Sequence, residues 1–205
     1  RAGEADIPEF WTVARTAESL RRRARTRKPL PALLVFTDPA RTPDLEALAG
    51  RLPRCSALVY RAFGAADAET MARRLRGIVR RRGARLLIGA DARLAIRVGA
   101  DGVHLPERTA ARAAPSSGRR GWLVTAAAHS VTAARRARAD AVVVSAVFPS
   151  RSPSAGPPLG PVRFARIVRA AGRPAFALGG VTNQNARRLL STGAVGVAGI
   201  DAFRT

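Results

Sequence analysis

His129 ends a run of alanines in "AAAHS" and is one of only two histidines in the chain. An imidazole changes charge near neutral pH, so at a strand end it suits general acid/base catalysis; the alternative is a histidine that merely hydrogen-bonds the rim. The other, His104, sits between Val103 and Leu105 in an apolar run and reads as structural. Gly179, Gly180, Val181 and Thr182 follow another apolar run. A glycine pair there lets backbone N–H groups approach a phosphate closely. Two carboxylates, Asp91 and Glu107, bracket the stretch "DARLAIRVGADGVHLPE", and Asp101 within it suits a turn. The lone cysteine, Cys55, excludes an internal disulfide and is expected to pack ahead of a strand. One cysteine and two histidines do not predict a structural zinc site.

The chain has 205 residues, 47% of them hydrophobic, enough for one domain with a substantial core. No apolar run approaches the ~20 residues of a membrane span, so no membrane association is expected. The first residues carry arginines but also Glu4, Asp6, Glu9 and Glu18, without the apolar segment of a signal peptide. Together with the single thiol this predicts a cytoplasmic protein. Net charge is +22, and Lys28 is the only lysine among 36 basic residues. The arginines recur at helical spacing, as in "MARRLRGIVRRRG", without interleaved aromatics, which total 5%. They read as solvated helix faces, and specific nucleic-acid binding is not expected. A positive field still attracts phosphorylated small molecules.

From about Ala32 the chain alternates apolar runs with amphipathic stretches. Strands are expected at 32–38, 57–63, 85–90, 102–106, 122–127, 141–148, 175–180 and 196–200, apolar throughout as in strands buried on both faces. Helices are expected between them, the weakest around Arg108–Ala114. "VGADGVHL", "ARADAVVVS" and "TGAVGVAGI" share one grammar: a helix stops, a small residue turns the chain, and a strand begins. Eight such units predict a closed parallel α/β barrel, the (β/α)8 TIM barrel, over 32–205. An open doubly wound sheet would show a glycine-rich turn after its first strand, where this chain reads "TDPARTP". Residues 1–31 read as a helical extension. Asp6 can cap it, Pro8 suits its first turn, and Phe10, Val13, Ala17 and Leu20 share a face. With the chain ending at Thr205, the last helix is expected to be truncated, and the leading helix to cover the seam between the eighth and first strands.

Chemistry in such a barrel gathers where the strands run out at their C-terminal ends. Those ends offer Thr37, Asp38, Arg61, Ala90, Asp91, Glu107, His129, the loop "FPSRSPSAGPPLG", Gly179, Gly180, Gly199, Ile200 and Asp201. In "VGADGVHL", that loop, and "ALGGVTNQNARRLLSTGAVGVAGIDAF", the chain resembles the thiamine phosphate synthase and TenI (thiazole tautomerase) superfamily from about Leu33 to Phe203. The resemblance implies the barrel fold and a phosphorylated substrate. The synthase couples a pyrimidine diphosphate to a thiazole phosphate with Mg²⁺, whereas TenI aromatises the thiazole phosphate without coupling. It also implies a catalytic role for His129 and phosphate-binding roles for Arg61, Ser150, Arg151, Ser152, Gly179, Gly180, Gly199 and Ile200. A homodimer is compatible with it.

The departures are informative. The family's third strand ends Asn-Asp, where this chain has Gly89 and Ala90. Asp91 follows one residue late, and a one-residue shift at a strand end redirects the side chain. The second family metal ligand aligns with Thr109, which leaves Asp91 and Glu107 as displaced candidates for the metal. Phe63 stands for a lysine after the second strand, and Pro153 for one in the loop after the sixth, where Arg151 can supply the charge in its place. Asp201 stands for a serine at the phosphate end, where a carboxylate repels a dianion unless it caps a terminal turn. These changes favour a TenI-like or divergent enzyme over full synthase chemistry. An active synthase and a non-catalytic thiazole- or thiamine-phosphate binder are the alternatives.

Overall fold

Short runs of Val, Leu, Ile and Ala pair edge to edge in chain order and close on themselves. They are β1 (Leu33–Phe36), β2 (Ser56–Tyr60), β3 (Arg85–Gly89), β4 (Gly102–Leu105), β5 (Leu123–Ala128), β6 (Ala141–Val144), β7 (Ala175–Leu178) and β8 (Gly196–Gly199). Each pairs parallel with the next, and β8 returns to β1 through Leu33↔Val197 and Val35↔Gly199. This computed structural model describes residues 9–112, 119–150, 152 and 156–200. The helices are α1 (Glu9–Arg23), α2 (Leu45–Gly50), α3 (Ala68–Arg81), α4 (Ala92–Arg97), α5 (Glu107–Ala110), α6 (Val131–Arg136), α7 (Gly160–Ala171) and α8 (Asn183–Ala186). A 3-10 turn, Arg187–Leu189, continues α8. The chain is thus a (β/α)8 barrel, as the alternation predicts. The expected truncated last helix lies outside the described residues.

Strand alternation makes two apolar layers. Leu34, Phe36, Val59, Leu87, Leu123, Val143 and Phe176 fill the bore. Leu33, Val35, Leu58, Ile88, Val103 and Val144 lie beneath the helices. The shared turn grammar has a structural meaning. Asp101 donates its N–H to Leu86 O (2.8 Å) and accepts from Leu86 N (2.9 Å) through its carboxylate. Asp140 repeats this with Val124, at 2.8 Å each way. Val195 holds the same place before β8 and keeps only the backbone half, donating to Ala175 O (2.9 Å).

Helix α1 buries Val13, Ala17 and Leu20 in the same core as the barrel helices and packs against β8, β1 and α8. The described part of the expected extension thus contributes to the barrel's own core. Asp6 and Pro8 lie outside the described residues. The helix ends at Arg23 rather than running on to Lys28, because Pro29 and Pro31 demand extended backbone. Residues 24–30 instead cross the barrel floor. Lys28 Nζ donates to Trp122 O (3.2 Å) and pairs with Asp140 (2.7 Å), Arg85 donates to Pro29 O (3.1 Å), and Leu30 plugs the bore from below. Strand β6 stops at Val144, short of the expected Phe148. Val147 and Phe148 turn to donate to Leu178 O (2.9 Å) and Gly179 O (3.0 Å). Cys55 corrects the packing expectation: it is exposed, in a left-handed turn with φ 60°.

His104 points into the bore. Its ring meets Phe36 edge-on at 4.8 Å, and Nδ1 lies 3.0 Å from Thr125 Oγ1. Burial, with the nearby Arg61 charge adding to it, pushes its pKa down to about 3. Folded His104 is thus neutral at pH values where the unfolded chain, with an ordinary pKa near 6.5, takes up a proton. Stability should therefore fall as pH drops from about 6.5 towards 3. Thermal melts of wild type and His104→Gln test this: the variant should show a shallower decline between pH 6.5 and 4, and parallel curves would contradict it. Leu20→Ala should lower unfolding free energy by ~3 kcal/mol in urea titration, since it opens a cavity under the β8–β1 seam. A loss below ~1 kcal/mol would mean that α1 is dispensable.

Candidate functional site at the strand C-terminal ends

Arg61 is the most constrained side chain at the mouth. The backbone N–H of Arg61 donates to Thr37 Oγ1 (2.9 Å), while the side chain donates from Nε to Thr37 O (2.6 Å) and from Nη2 to Asp38 Oδ2 (3.0 Å). Its guanidinium lies 5.9 Å from the Phe36 ring centre and 5.0 Å from that of Phe63. Burial lowers its pKa, and Asp38 opposes the shift. Gly89 makes this placement possible: a Cβ there would stand 2.9 Å from Arg61 Cγ. The family's asparagine position has thus become the space into which Arg61 packs.

Asp91, one residue past the family's aspartate position, is a helix cap. Its Oδ1 accepts from Leu94 N (2.8 Å) at the start of α4. Ala90 before it carries φ 63°, a conformation that Asn and Asp tolerate better than Ala. Glu107 turns towards the neighbouring strand end. Its Oε2 accepts both the backbone N–H of His129 (2.6 Å) and Nδ1 (2.8 Å). The two side chains are 40% and 56% exposed, so the pair faces solvent at the mouth. A carboxylate only accepts, so Nδ1 carries the proton and Nε2 keeps its lone pair in the neutral ring. Ser130 then caps α6, accepting from Ala133 N (3.1 Å), which fixes the chain just after His129. The sequence offered Glu107 as a metal ligand and gave no sign of this partnership. Its only hint is that the β4 and β5 ends must be neighbours in a barrel.

The Mg²⁺ implied by the resemblance needs open carboxylate oxygens in near-octahedral array. Asp91 is engaged in a cap and Glu107 on an imidazole. Thr109, at the second ligand position, donates its hydroxyl to Pro106 O (3.1 Å). Among the described residues no cluster of three His, Cys, Asp or Glu is placed to hold a metal. The described side chains bring no such set of oxygens together around one point.

The glycine turn after β7 packs against the loop after β6. Gly179 (φ 98°) and Gly180 (φ 63°) occupy left-handed backbone, and side chains there would meet neighbours. A Cβ at Gly179 would lie 2.9 Å from Ala146 Cβ, and one at Gly180 would lie 2.1 Å from Pro149 O. Packing alone therefore demands both glycines. Thr182 and Asn185 form a capping box on α8, and Asn185 Nδ2 donates to Gly180 O (2.7 Å). Asn183 Oδ1 is buried with no hydrogen-bond donor among the described residues. Gly199 pairs with Val35, and Ile200 after it is half-buried. In the loop, Ser150 Oγ accepts from Ser152 N (3.2 Å). Arg151 and Asp201 lie outside the described residues. A groove of about 540 Å³ along Arg21, Arg25, Arg27 and Leu30 lies at the opposite, floor end of the barrel, away from these groups.

A family model described as thiamine monophosphate synthase matches residues 37–203. A thiamine-phosphate synthase of Alcanivorax borkumensis is 32% identical over 185 residues, covering 85% of each chain. One of Methanoculleus marisnigri is 37% identical over 137 residues, 62% of this chain and 63% of its own. Among solved structures, a thiamine phosphate pyrophosphorylase from Pyrococcus furiosus superposes with a TM-score of 0.65 at 26% identity, covering 85% of this chain and 87% of its own. No helix among the described residues is long and apolar enough to cross a membrane. With its barrel, its strand-end residues and a match spanning most of its length, the chain belongs to the thiamine phosphate synthase/TenI family of thiamine biosynthesis.

Proposed function

We propose that this member acts on a thiazole phosphate by TenI-like proton transfer rather than by Mg²⁺-assisted coupling. The observation that carries the reading is the Glu107–His129 pair at the mouth, 2.8 Å apart. Aromatising tautomerisation removes a proton from one carbon and returns a proton to another, with no change in atoms or electrons overall. One imidazole whose Nε2 is free as a base can perform both steps in turn. Glu107 holds the ring in the orientation and tautomer that leave Nε2 for the substrate, as an orienting carboxylate does. The phosphate is assigned to Gly179, Gly180, Gly199 and Ile200 together with Ser150 and Ser152, and the charge of Arg151 is expected to add to them. The positive field of a +22 chain draws such a dianion in. The names of the relatives favour a second reading, an active thiamine phosphate synthase.

Two measurements separate these readings. In a thiazole tautomerase assay, His129→Ala should lose ~10²–10⁴-fold in rate and Glu107→Gln ~10-fold or more, both with unchanged melting temperatures. A wild-type protein that couples the pyrimidine diphosphate efficiently in Mg²⁺ would sink the tautomerase reading. Second, Ala90→Asp combined with Thr109→Asp restores acids where the relatives carry them. This variant should gain Mg²⁺-dependent coupling, read as pyrophosphate release, over a wild type at background. The left-handed backbone at residue 90 accepts Asp without added strain.

A further inference from the structure

The turn after β2 breaks a local rule. Ala65 N donates to Ala62 O (3.0 Å), closing a four-residue turn whose central residues, Phe63 and Gly64, have φ 48° and 80°. Two positive φ values define the type I′ pattern, in which the first central position favours Asn, Asp or Gly. A bulky aromatic there is a conformational outlier, and such outliers persist where function holds them. Phe63 gains little burial in return, since it is 66% exposed. What holds it is Arg61, whose guanidinium lies 5.0 Å from its ring centre and is itself pinned to Thr37 and Asp38.

We infer that Phe63 is a stacking platform at the mouth, a subsite for the planar aromatic ring of a phosphorylated ligand. One face of the Phe63 ring takes a fixed cation. The rest of the ring is exposed to solvent at the ends of β1 and β2, on the same mouth as the assigned phosphate site. A flat heteroaromatic ring covers that exposed part at little conformational cost, and an attached phosphate gains from the surrounding positive field. The inference rests on the reading of this mouth as a phosphate-ester site, and it names what the ester must carry: an aromatic ring rather than an open chain.

The test uses matched probes, phenyl phosphate and ethyl phosphate, titrated calorimetrically into the full chain. Wild type should bind phenyl phosphate at least about fivefold more tightly, the order expected of one aromatic stack. Phe63→Ala and Phe63→Asn should erase that preference and leave ethyl phosphate unchanged, whereas Phe63→Trp should keep it. Phe63→Asn also suits the turn, so its melting temperature should equal or exceed that of wild type, which shows that the lost preference is not lost folding. The platform is refuted if phenyl phosphate is still preferred without the ring, or if wild type shows no preference. A Phe63→Ala protein that runs at a smaller mass than wild type would also overturn it, making the ring a contact between copies. An inactive tautomerase that retains the ring preference would end the proposed function and leave the platform standing.

Discussion

The ladder between β8 and β1 closes the sheet, and every position at the mouth inherits its place from that closure. Each strand is only four to six residues long. A slip of one residue would exchange bore and helix faces and carry Arg61, Glu107 or His129 away from its partner. Two devices secure the ring from below. The carboxylates of Asp101 and Asp140 tie one strand turn to the start of the strand before it. The segment 24–30 spans the floor, with Lys28 on Asp140 and Leu30 in the bore. Helix α1 covers the seam itself with Val13, Ala17 and Leu20.

Charge is distributed unevenly in its consequences. Pairs such as Glu69 with Arg73 and Arg97 lie on exposed helix faces, where solvent leaves each a minor contribution. With 14 acids against 36 basic residues, most arginines serve as solubilising surface and as a long-range field. Arg61 differs because it is desolvated and fixed at several points. Its charge also helps keep His104 neutral beneath it. A cation held this way acts through position, paired with Asp38 and stacked on the Phe63 ring.

The departures from the family pattern are linked. Gly89 removes a side chain and so admits Arg61. Ala90 leaves a left-handed position without the acid that suits it, and Asp91 is taken by α4 as its cap. Glu107 is then engaged by His129. One oxygen of each carboxylate is thus committed to local structure or to an imidazole, on a barrel that matches the family over most of its length.

The alternation of apolar and arginine-rich stretches determined the eight strands, their order and the closed barrel, because burial on both faces and short turns admit few other parallel arrangements. The motifs at the strand ends likewise determined the family. The partners did not follow from the order of residues. Glu107 and His129 are 22 positions apart and Arg61 and Thr37 are 24 apart, so only closure brings them into contact. Phe63 was legible as a substitution, but its exposure and its stack on Arg61 were not. The early stop of β6 also escaped, since it depends on hydrogen bonds to the end of another strand. Local pattern decides which segments become elements, because propensity and burial act along the chain. Side-chain partnership depends on distances across the barrel, and those exist only once the ring has closed.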